Sequence, residues 1–199
     1  MDSTAWDQRY AERELVWSAG PNQFVADLAG PLPSGRAVDL AAGEGRNAIW
    51  LATRGWMVTA VDFSAVALDK GRRLAAQAGV TESLTWVEAD LTRWVPDPSA
   101  FDLVLVAYLQ LPWPEMAGLL ARAAEAVAPG GTLLIVGHDR SNLVRGAGGP
   151  QDPSVLYTPQ EVSGAVGGSA GVAVTRADTV ERISDAGAAY DTLVVARRA

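Results

Sequence analysis

The chain has 199 residues, of which 49% are hydrophobic and 20% charged, a composition that fits one globular domain with a full core. The net charge of −7 argues against a nucleic acid or an anionic membrane surface as partner. With no cysteine and a single histidine, the sequence excludes disulfides and thiolate chemistry, and no metal site is expected.

The start of the chain also carries information about location. Residues Met1 to Asp7 lack a basic segment followed by an apolar core, as a secretory signal would require. No apolar run reaches the length of about 18 residues that a membrane span needs. The sequence therefore predicts a cytoplasmic protein that does not cross a membrane.

Short β-rich runs alternate with helical stretches along most of the chain. The predicted strands are Ala37 to Leu40, Met57 to Val61, Leu84 to Val87, Phe101 to Ala107 and Thr132 to Gly137. The predicted helices run from Arg46 to Arg54, from a Ser64 cap to Ala78, from Pro114 to Ala128, and from a Thr158–Glu161 capping box. This alternation predicts an α/β fold with a doubly wound sheet, in which helices cover both faces.

The C-terminal part departs from this alternation. Two predicted strands, Val172 to Ser184 and Tyr190 to Arg197, are separated by a gap too short for a crossover helix, so we expect an antiparallel hairpin. The segment from Ser141 to Ser154 is rich in glycine and proline. It is the best candidate for a long active-site loop.

The turn after the first strand is the most informative motif. Asp39 is followed by Ala41, Ala42, Gly43 and Gly45, which carry almost no side-chain bulk, and a helix starts directly after them. A ligand can lie against bare backbone there, near the amides of the helix start. A carboxylate at the head of the turn suits an amino group better than a phosphate. The turn therefore favours S-adenosylmethionine over a dinucleotide.

Two further aspartates follow the next predicted strands. Asp62 follows the second strand, where a carboxylate can accept hydrogen bonds from both ribose hydroxyls. Asp90 follows the third, where it can accept one from the exocyclic amine of a base. In a doubly wound sheet ligands bind at these strand ends. Each aspartate alone fits a helix cap or a turn equally well, and it is their order after the glycine turn that favours binding.

Together these motifs resemble those of the class I S-adenosylmethionine-dependent methyltransferases, over nearly the whole chain. Asp39 to Gly45 is similar to the first motif of that family, an acidic residue before a G-x-G-x-G turn, with Ala41 in place of the first glycine. Val58 to Asp62 resembles the second motif, Glu88 to Leu91 the third, and Pro129 to Leu133 the turn before the fifth strand. The final hairpin matches the reversed last strand of the family.

The resemblance implies S-adenosyl-L-methionine as cofactor and a single domain over residues 1–199. In it, helices of residues 1–34 would cover the cofactor, and residues 35–199 would form a Rossmann-like, mostly parallel sheet of seven strands with an antiparallel C-terminal hairpin strand. The residues expected at the cofactor are Tyr10, Trp17, Asp39, Ala41, Gly43, Gly45, Arg46, Asn47, Asp62, Phe63, Asp90, Leu91 and Ala107.

A narrower resemblance concerns small bacterial enzymes. Gly45 to Asn47 and the opening Trp6 to Tyr10 are similar to the tellurite-resistance methyltransferases and to relatives of the thiopurine methyltransferases. In that subgroup the N-terminal segment folds over the cofactor. An arginine near the last hairpin faces the substrate there, and Arg182 roughly matches it.

Methyl transfer from a sulfonium needs an aligned acceptor and exclusion of water more than it needs a catalytic triad. Tyr108 and Trp113 are expected at the substrate pocket, and His138 and Arg182 are the catalytic candidates. His138 can serve as a base, or it can simply be hydrogen-bonded inside the long loop. The tryptophans expected in the core are Trp50, Trp56 and Trp86.

The sequence thus predicts an enzyme that methylates an S, O or N nucleophile, or a tellurium or selenium oxyanion, of a small molecule. The Asn/Asp-Pro-Pro-Tyr/Phe motif of enzymes that methylate base amino groups is absent after the fourth strand, which disfavours a nucleic-acid substrate. One alternative is a non-catalytic protein that binds S-adenosylmethionine or S-adenosylhomocysteine. The other is a nicotinamide-dependent oxidoreductase, for which Asp39 and Glu44 are unfavourable next to pyrophosphate.

Overall fold

A computed structural model describes residues 3–12, 15, 20–168, 171–184 and 187–199. The chain divides into two compact units, Met1–Trp94 and Val95–Ala199, called unit 1 and unit 2. Trp17, one of the residues expected at the cofactor, lies outside the described residues. None of the helices within the described ranges is long and apolar enough to cross a membrane.

The described residues of unit 1 form three parallel strands and four α-helices. In chain order its elements are α1 (Ser3–Ala11), α2 (Gln23–Ala29), β1 (Arg36–Leu40), α3 (Arg46–Thr53), β2 (Met57–Asp62), α4 (Ala65–Gln77), a 3-10 turn (Thr81–Ser83) and β3 (Leu84–Glu88). β2 pairs in parallel with both β1 and β3. Ser64 caps α4 as predicted, because its hydroxyl accepts a hydrogen bond from the Ala67 amide at 3.1 Å.

Unit 2 carries the long strands. Its elements are β4 (Phe101–Ala107), α5 (Trp113–Ala126), β5 (Val127–His138), α6 (Asn142–Arg145), a 3-10 turn (Pro153–Val155), α7 (Pro159–Gly167), β6 (Val172–Ser184) and β7 (Gly187–Arg198). β4 and β5 are parallel, whereas β7 is antiparallel to both β5 and β6. α7 begins with the predicted capping box. The Thr158 hydroxyl accepts a hydrogen bond from the Glu161 amide, and the Glu161 carboxylate accepts one from the Thr158 amide.

The seven strands have the sheet order β3-β2-β1-β4-β5-β7-β6. This order, with parallel pairs at β1–β2–β3 and β4–β5 and an antiparallel C-terminal hairpin, confirms the predicted Rossmann-like α/β fold. The core consists of aliphatic strand residues and the helix faces that cover them, such as Val38, Leu51 and Leu68 in unit 1 and Leu105 and Ile135 in unit 2.

Three predicted boundaries are wrong by two residues or more. The helix predicted to reach Ala128 ends at Ala126, and the Pro-Gly-Gly turn lies inside β5 instead of before it. Val127 pairs with Phe101 and Thr132 with Leu103, so residues 128–131 bulge out of the ladder. The last strand begins at Gly187, earlier than predicted, because Gly187 pairs directly with Ser184.

The three tryptophans expected in the core differ in burial. Trp56 is 2% exposed, as predicted, whereas Trp50 and Trp86 are only half-buried. Both half-buried rings make contacts near the surface of their helix or strand. The Arg54 guanidinium lies over the Trp50 ring at 5.0 Å, and Trp86 covers two glycines of unit 1.

Candidate functional site

The turn after β1 has the backbone that a glycine-rich turn requires. Ala41, Gly43 and Gly45 all have positive φ angles, of 67°, 56° and 79°. The amides of Ala41 and Ala42 both donate to the carbonyl of Val61 on β2, at 2.9 and 3.0 Å. For an L-residue the left-handed conformation costs about 1–2 kcal/mol. Ala41, where the resembling motif has glycine, therefore holds a strained position.

Asp39 is a buried carboxylate without a donor. It is 1% exposed, and neither carboxylate oxygen has a hydrogen-bond partner in the described part of the chain, although the Ala48 amide is near enough to favour the charged form. Burial raises the pKa of Asp39 to about 7; Arg46 opposes this shift and Asp62 adds to it. A buried group of this kind is stabilised when a ligand supplies the missing hydrogen bonds.

Asp62, in contrast, connects two parts of unit 1. Its Oδ2 accepts a hydrogen bond from the Gly43 amide at 2.8 Å, and its Oδ1 accepts one from the Ser64 amide at 2.9 Å. Burial raises the pKa of Asp62, and the amides of Ser64, Gly43 and Phe63 oppose that shift. Because each carboxylate oxygen has two lone pairs, both can still accept a second hydrogen bond.

The N-terminal helix α1 is anchored on α4. The Ser64 hydroxyl donates to Asp7 Oδ1 at 2.5 Å, and Lys70 Nζ donates to the Tyr10 carbonyl at 2.5 Å. Lys70 also lies 3.4 Å from Glu44 of the glycine turn, whose side chain is 3% exposed. Tyr10 itself is 4% exposed. The described part of the N-terminal segment therefore contacts the residues that flank Asp62 and the turn.

Two residues expected at the cofactor make packing contacts that the sequence did not predict. A Cβ atom at Gly45 would collide with the Trp86 ring, so the missing side chain makes room for an indole. Asn47 accepts a hydrogen bond from the Asn22 amide at 2.9 Å through Oδ1, which anchors the first turn of α2. Arg46 lines a cleft of about 300 Å³ together with Leu15, Glu44, Ile49, Leu74, Gln77 and Ala78.

Asp90 is hydrogen-bonded within the turn that follows β3. Its Oδ1 accepts hydrogen bonds from the Thr92 amide at 2.9 Å and the Thr92 hydroxyl at 2.7 Å, and these lower the pKa of Asp90. Its side chain is 55% exposed. Phe63, after β2, is half-buried, and Leu91 is buried.

Unit 2 contains a cluster of four polar side chains centred on a residue that the sequence did not single out. The carboxylate of Asp191, on β7, is completely buried. Its Oδ2 accepts hydrogen bonds from the Tyr108 hydroxyl at 2.6 Å and from Arg182 Nε at 2.7 Å. Its Oδ1 faces His138 Nδ1 at 3.4 Å. Tyr108, His138, Arg182 and Asp191 are called the Asp191 cluster below.

The charges in the Asp191 cluster balance. Burial acts to raise the pKa of Asp191, but His138, Arg182 and Tyr108 together lower it, so the carboxylate stays charged. Burial, followed by the Asp191 charge, raises the pKa of Tyr108, which therefore keeps its proton. Burial acts to lower the pKa of Arg182, yet the hydrogen bond to Asp191 raises it overall.

The backbone at Tyr108 is strained. It has a positive φ of 57°, directly after β4, and its amide donates to the Val136 carbonyl at 2.7 Å. Its ring meets the His138 ring edge-on at 5.0 Å between centroids. A left-handed tyrosine is uncommon and persists only where its surroundings hold it. Here the hydrogen bond from the Tyr108 hydroxyl to Asp191 helps to keep the backbone in this conformation.

The remaining predicted pocket residues of unit 2 lie at element ends. Ala107 is the last residue of β4 and is half-buried. Trp113 begins α5, and its ring lies 6.4 Å from that of the fully buried Tyr157. The hydroxyl of Tyr157 donates to the Leu109 carbonyl at 3.4 Å.

The segment predicted as a long loop, Ser141 to Ser154, lies against His138. Asn142 holds it, since its Oδ1 accepts from the Tyr190 amide at 2.8 Å and its Nδ2 donates to the Gly148 carbonyl at 2.9 Å. At Gly149, with φ of 76°, a Cβ atom would lie 3.0 Å from His138 Nδ1. Across the described ranges, no group of three or more histidine, aspartate or glutamate side chains could hold a metal ion.

Known proteins resemble this chain in sequence and in fold. Residues 37–131 match a family described as a methyltransferase domain. The chain is 32% identical over 122 residues to a demethylmenaquinone methyltransferase of Clavibacter sepedonicus, a match that covers 61% of this chain and 47% of the relative. This chain thus spans about half the length of that relative.

Solved structures share the fold. The CcbJ methyltransferase of Streptomyces caelestis has a TM-score of 0.78 at 20% identity, and each chain covers 100% of the other. TehB of Haemophilus influenzae has a TM-score of 0.74 at 14% identity, covering 99% of this chain and 67% of TehB. Residues 37–131 of this chain are thus similar to a methyltransferase domain family, and the two solved structures have the same fold as the whole chain.

Proposed function

We propose that the chain is an enzyme that transfers a methyl group from S-adenosylmethionine to a small molecule, at an S, O or N nucleophile or at a tellurium or selenium oxyanion. The observation that carries this proposal is the buried, donor-less carboxylate of Asp39, next to the left-handed turn. An ammonium group supplies both the charge and the donors that Asp39 lacks. The pyrophosphate of a nicotinamide cofactor supplies neither.

In this proposal three aspartates hold the cofactor. Asp39 would hold the ammonium group, Asp62 would accept the ribose hydroxyls with its remaining lone pairs, and Asp90 would accept from the adenine amine. When bound, the cofactor supplies an electrophilic methyl carbon, whose bond to sulfur breaks with the electron pair staying on sulfur. The further residues proposed to contact the cofactor are Tyr10, Trp17, Ala41, Gly43, Gly45, Arg46, Asn47, Phe63, Leu91 and Ala107.

In unit 2 we assign His138 as the base that takes the acceptor's proton, with Tyr108 and Trp113 as walls for the acceptor. Arg182 offers fewer hydrogen bonds to an acceptor than an unpaired arginine would, because part of its guanidinium is already engaged. Its Nε is engaged by Asp191 and Tyr108, and its charge is balanced by the buried carboxylate. Only its two terminal nitrogens are therefore proposed to donate to an acceptor.

We extend the proposal to the domain organisation, the acceptor and the location of the protein. Residues 1–199 form a single methyltransferase domain, in which the helices within residues 1–34 cover the cofactor. The net charge of −7 supports a small-molecule acceptor over a nucleic acid. We expect the protein to act in the cytoplasm, without a metal ion.

The cofactor is tested by thermal unfolding with S-adenosylhomocysteine and, separately, with NAD. At 100 times its dissociation constant a ligand adds about 2.7 kcal/mol, which raises the melting temperature by roughly 5–10 °C for a chain of this size. We expect a shift with S-adenosylhomocysteine alone, lost in Asp62→Ala and kept in Asp69→Ala, whose carboxylate is 63% exposed. A shift with NAD alone overturns the cofactor assignment.

Turnover is tested by S-adenosylhomocysteine release with a panel of small thiols and phenols. A positioned base contributes about 10²–10⁴-fold to the rate. His138→Ala should therefore lower kcat by that order while the dissociation constant of S-adenosylhomocysteine stays within about threefold. Equal turnover of both proteins across pH 6–9 would remove His138 as the base. Tight binding without turnover of any acceptor would favour the non-catalytic alternative.

A further inference from the structure

Two buried polar atoms of the Asp191 cluster face each other and have no other partner. Asp191 Oδ1 and His138 Nδ1 are 3.4 Å apart, and neither makes a hydrogen bond within the described residues. The second carboxylate oxygen, Oδ2, already accepts from Tyr108 and Arg182. Oδ1 is therefore the acceptor position of the cluster that remains open, and it is directed at the imidazole.

We infer that Asp191 is a positioning residue, whose Oδ1 accepts a hydrogen bond from Nδ1–H of His138 and thereby fixes the tautomer that leaves the lone pair on Nε2. This inference rests on the proposed role of His138 as the base. A movement of a few tenths of an ångström brings the two atoms into the usual range of about 2.7–3.2 Å. Hydrogen bonds between catalytic groups are often long without ligand and shorten when it binds.

The surroundings of the His138 ring also favour proton transfer at Nε2 instead of at Nδ1. Nδ1 is buried, and the backbone of Gly149 covers the edge of the ring that carries it. A Cβ atom at position 149 would lie 3.0 Å from Nδ1 and 3.1 Å from Cε1. Protons therefore reach and leave the imidazole through Nε2, provided that Nδ1 keeps its own proton.

The proton balance of the step is simple. As the acceptor's lone pair forms the bond to the methyl carbon, the acceptor's proton passes to Nε2. The imidazole becomes an imidazolium, which Asp191 stabilises without taking the Nδ1 proton. The Nε2 proton then passes to water, and the neutral tautomer is restored. Tyr108 keeps its proton throughout, because its hydroxyl donates to Asp191.

Asparagine at position 191 should reverse the tautomer without changing the shape of the side chain. The position of Oδ2 receives two donors, so the amide oxygen of asparagine must lie there. Its NH2 group must then occupy the position of Oδ1 and donate to His138 Nδ1. An Nδ1 atom that accepts a hydrogen bond cannot carry the proton, which therefore moves to Nε2.

The chain is suited to a direct test, because His138 is its only histidine and gives a single set of imidazole signals. We would record long-range ¹H–¹⁵N correlation spectra of the ¹⁵N-labelled chain at a pH where the imidazole is neutral. In the wild-type chain we expect the protonated type of signal at Nδ1 and the bare type at Nε2. In Asp191→Asn the two assignments should exchange.

A matched control separates this effect from loss of stability. Thr192→Val removes the hydroxyl next to Asp191 in sequence, which bonds to Asp139 at 2.8 Å and to the Tyr157 carbonyl at 3.0 Å. It should lower the melting temperature and leave the His138 tautomer as in the wild type. Binding of S-adenosylhomocysteine to both variants, within about threefold of wild type, shows that unit 1 is intact.

The inference is overturned if wild-type His138 carries its proton on Nε2, if its two nitrogen signals are averaged, or if Asp191→Asn leaves the pattern unchanged. The wild-type spectrum decides alone should the asparagine variant not fold. None of these spectra depends on turnover. Failure of the methyl-transfer proposal would instead appear as missing S-adenosylhomocysteine release, with the tautomer result unaffected.

Discussion

The two units use buried aspartates in opposite ways. Asp39 in unit 1 has no hydrogen-bond donor among the described residues, and burial raises its pKa to about 7. Asp191 in unit 2 is equally inaccessible, but a phenol, a guanidinium and an imidazole surround it and its pKa is lowered. Burial alone therefore does not define the role of a carboxylate. We expect the carboxylate left without donors to bind a ligand, and the one supplied with donors to position its neighbours.

The largest expected effect comes from removing the two carboxylates in turn. Asp191→Ala leaves the Arg182 guanidinium, 21% exposed, without its counter-charge, which should lower the free energy of unfolding by about 3–5 kcal/mol. Asp39→Asn breaks no hydrogen bond and removes a buried charge, so at pH 8 it should not destabilise the ligand-free chain. Urea unfolding of both variants measures the difference. Equal destabilisation by the two substitutions would show that the two carboxylates do not differ in this way.

The second prediction concerns pH and follows from Asp39. Its folded-state pKa of about 7 lies above the ordinary value of 3.8, so between these values the folded chain binds a proton that the unfolded chain has lost. The Asp39 contribution to stability without ligand should therefore fall as pH rises through this window, by up to about 4 kcal/mol, and stay constant above it.

Ligand binding should depend on pH in the opposite direction, so that the affinity rises as the pH rises. The ammonium group of S-adenosylhomocysteine needs the charged carboxylate, so its affinity should weaken about tenfold for each pH unit below the Asp39 pKa. Calorimetric titration between pH 5.5 and 8 measures this slope. In Asp39→Asn the affinity should be lower at pH 8, and the part of the slope that Asp39 causes should be absent. Equal slopes in both proteins would show that Asp39 does not meet the ammonium.

The smallest expected effect is at Ala41. Glycine there relieves the left-handed strain at φ of 67° but gains freedom in the unfolded chain, so Ala41→Gly should raise the free energy of unfolding by up to about 1 kcal/mol. The same exchange in the middle of α5, Ala121→Gly, should lower it by about 1 kcal/mol. Thermal unfolding compares the two. Destabilisation by both would show that the Ala41 methyl contributes packing that outweighs its strain.

The same contrast explains how much of the site could be read from the sequence. Asp39 and Asp62 were predicted because local motifs carry them: each lies at the carboxyl end of a short apolar strand, and a turn or cap follows within a few residues. Asp191 stands inside β7, between Tyr190 and Thr192, and no local pattern marks it. Its partners Tyr108 and Arg182 lie 83 and 9 residues away. Only the pairing register of the strands brings them together.

The fold was more predictable than its boundaries. Alternation of strands and helices is a property of many residues, so the doubly wound α/β sheet and the C-terminal hairpin were predicted correctly. The Pro-Gly-Gly sequence was predicted to form the turn before β5, because such residues usually end elements. In the structure Val127 still pairs with Phe101, and the turn is absorbed as a bulge inside the strand. Tertiary pairing thus outweighs the local signal.

The contact between Trp86 and two glycines has a consequence for how this chain can change over generations. A Cβ atom at Gly45 would collide with the indole, and one at Gly71 would lie 2.5 Å from it. A side chain at position 71 is therefore accommodated only when Trp86 shifts or has already been replaced by a smaller residue. The effects of substitutions at these positions thus depend on which comes first.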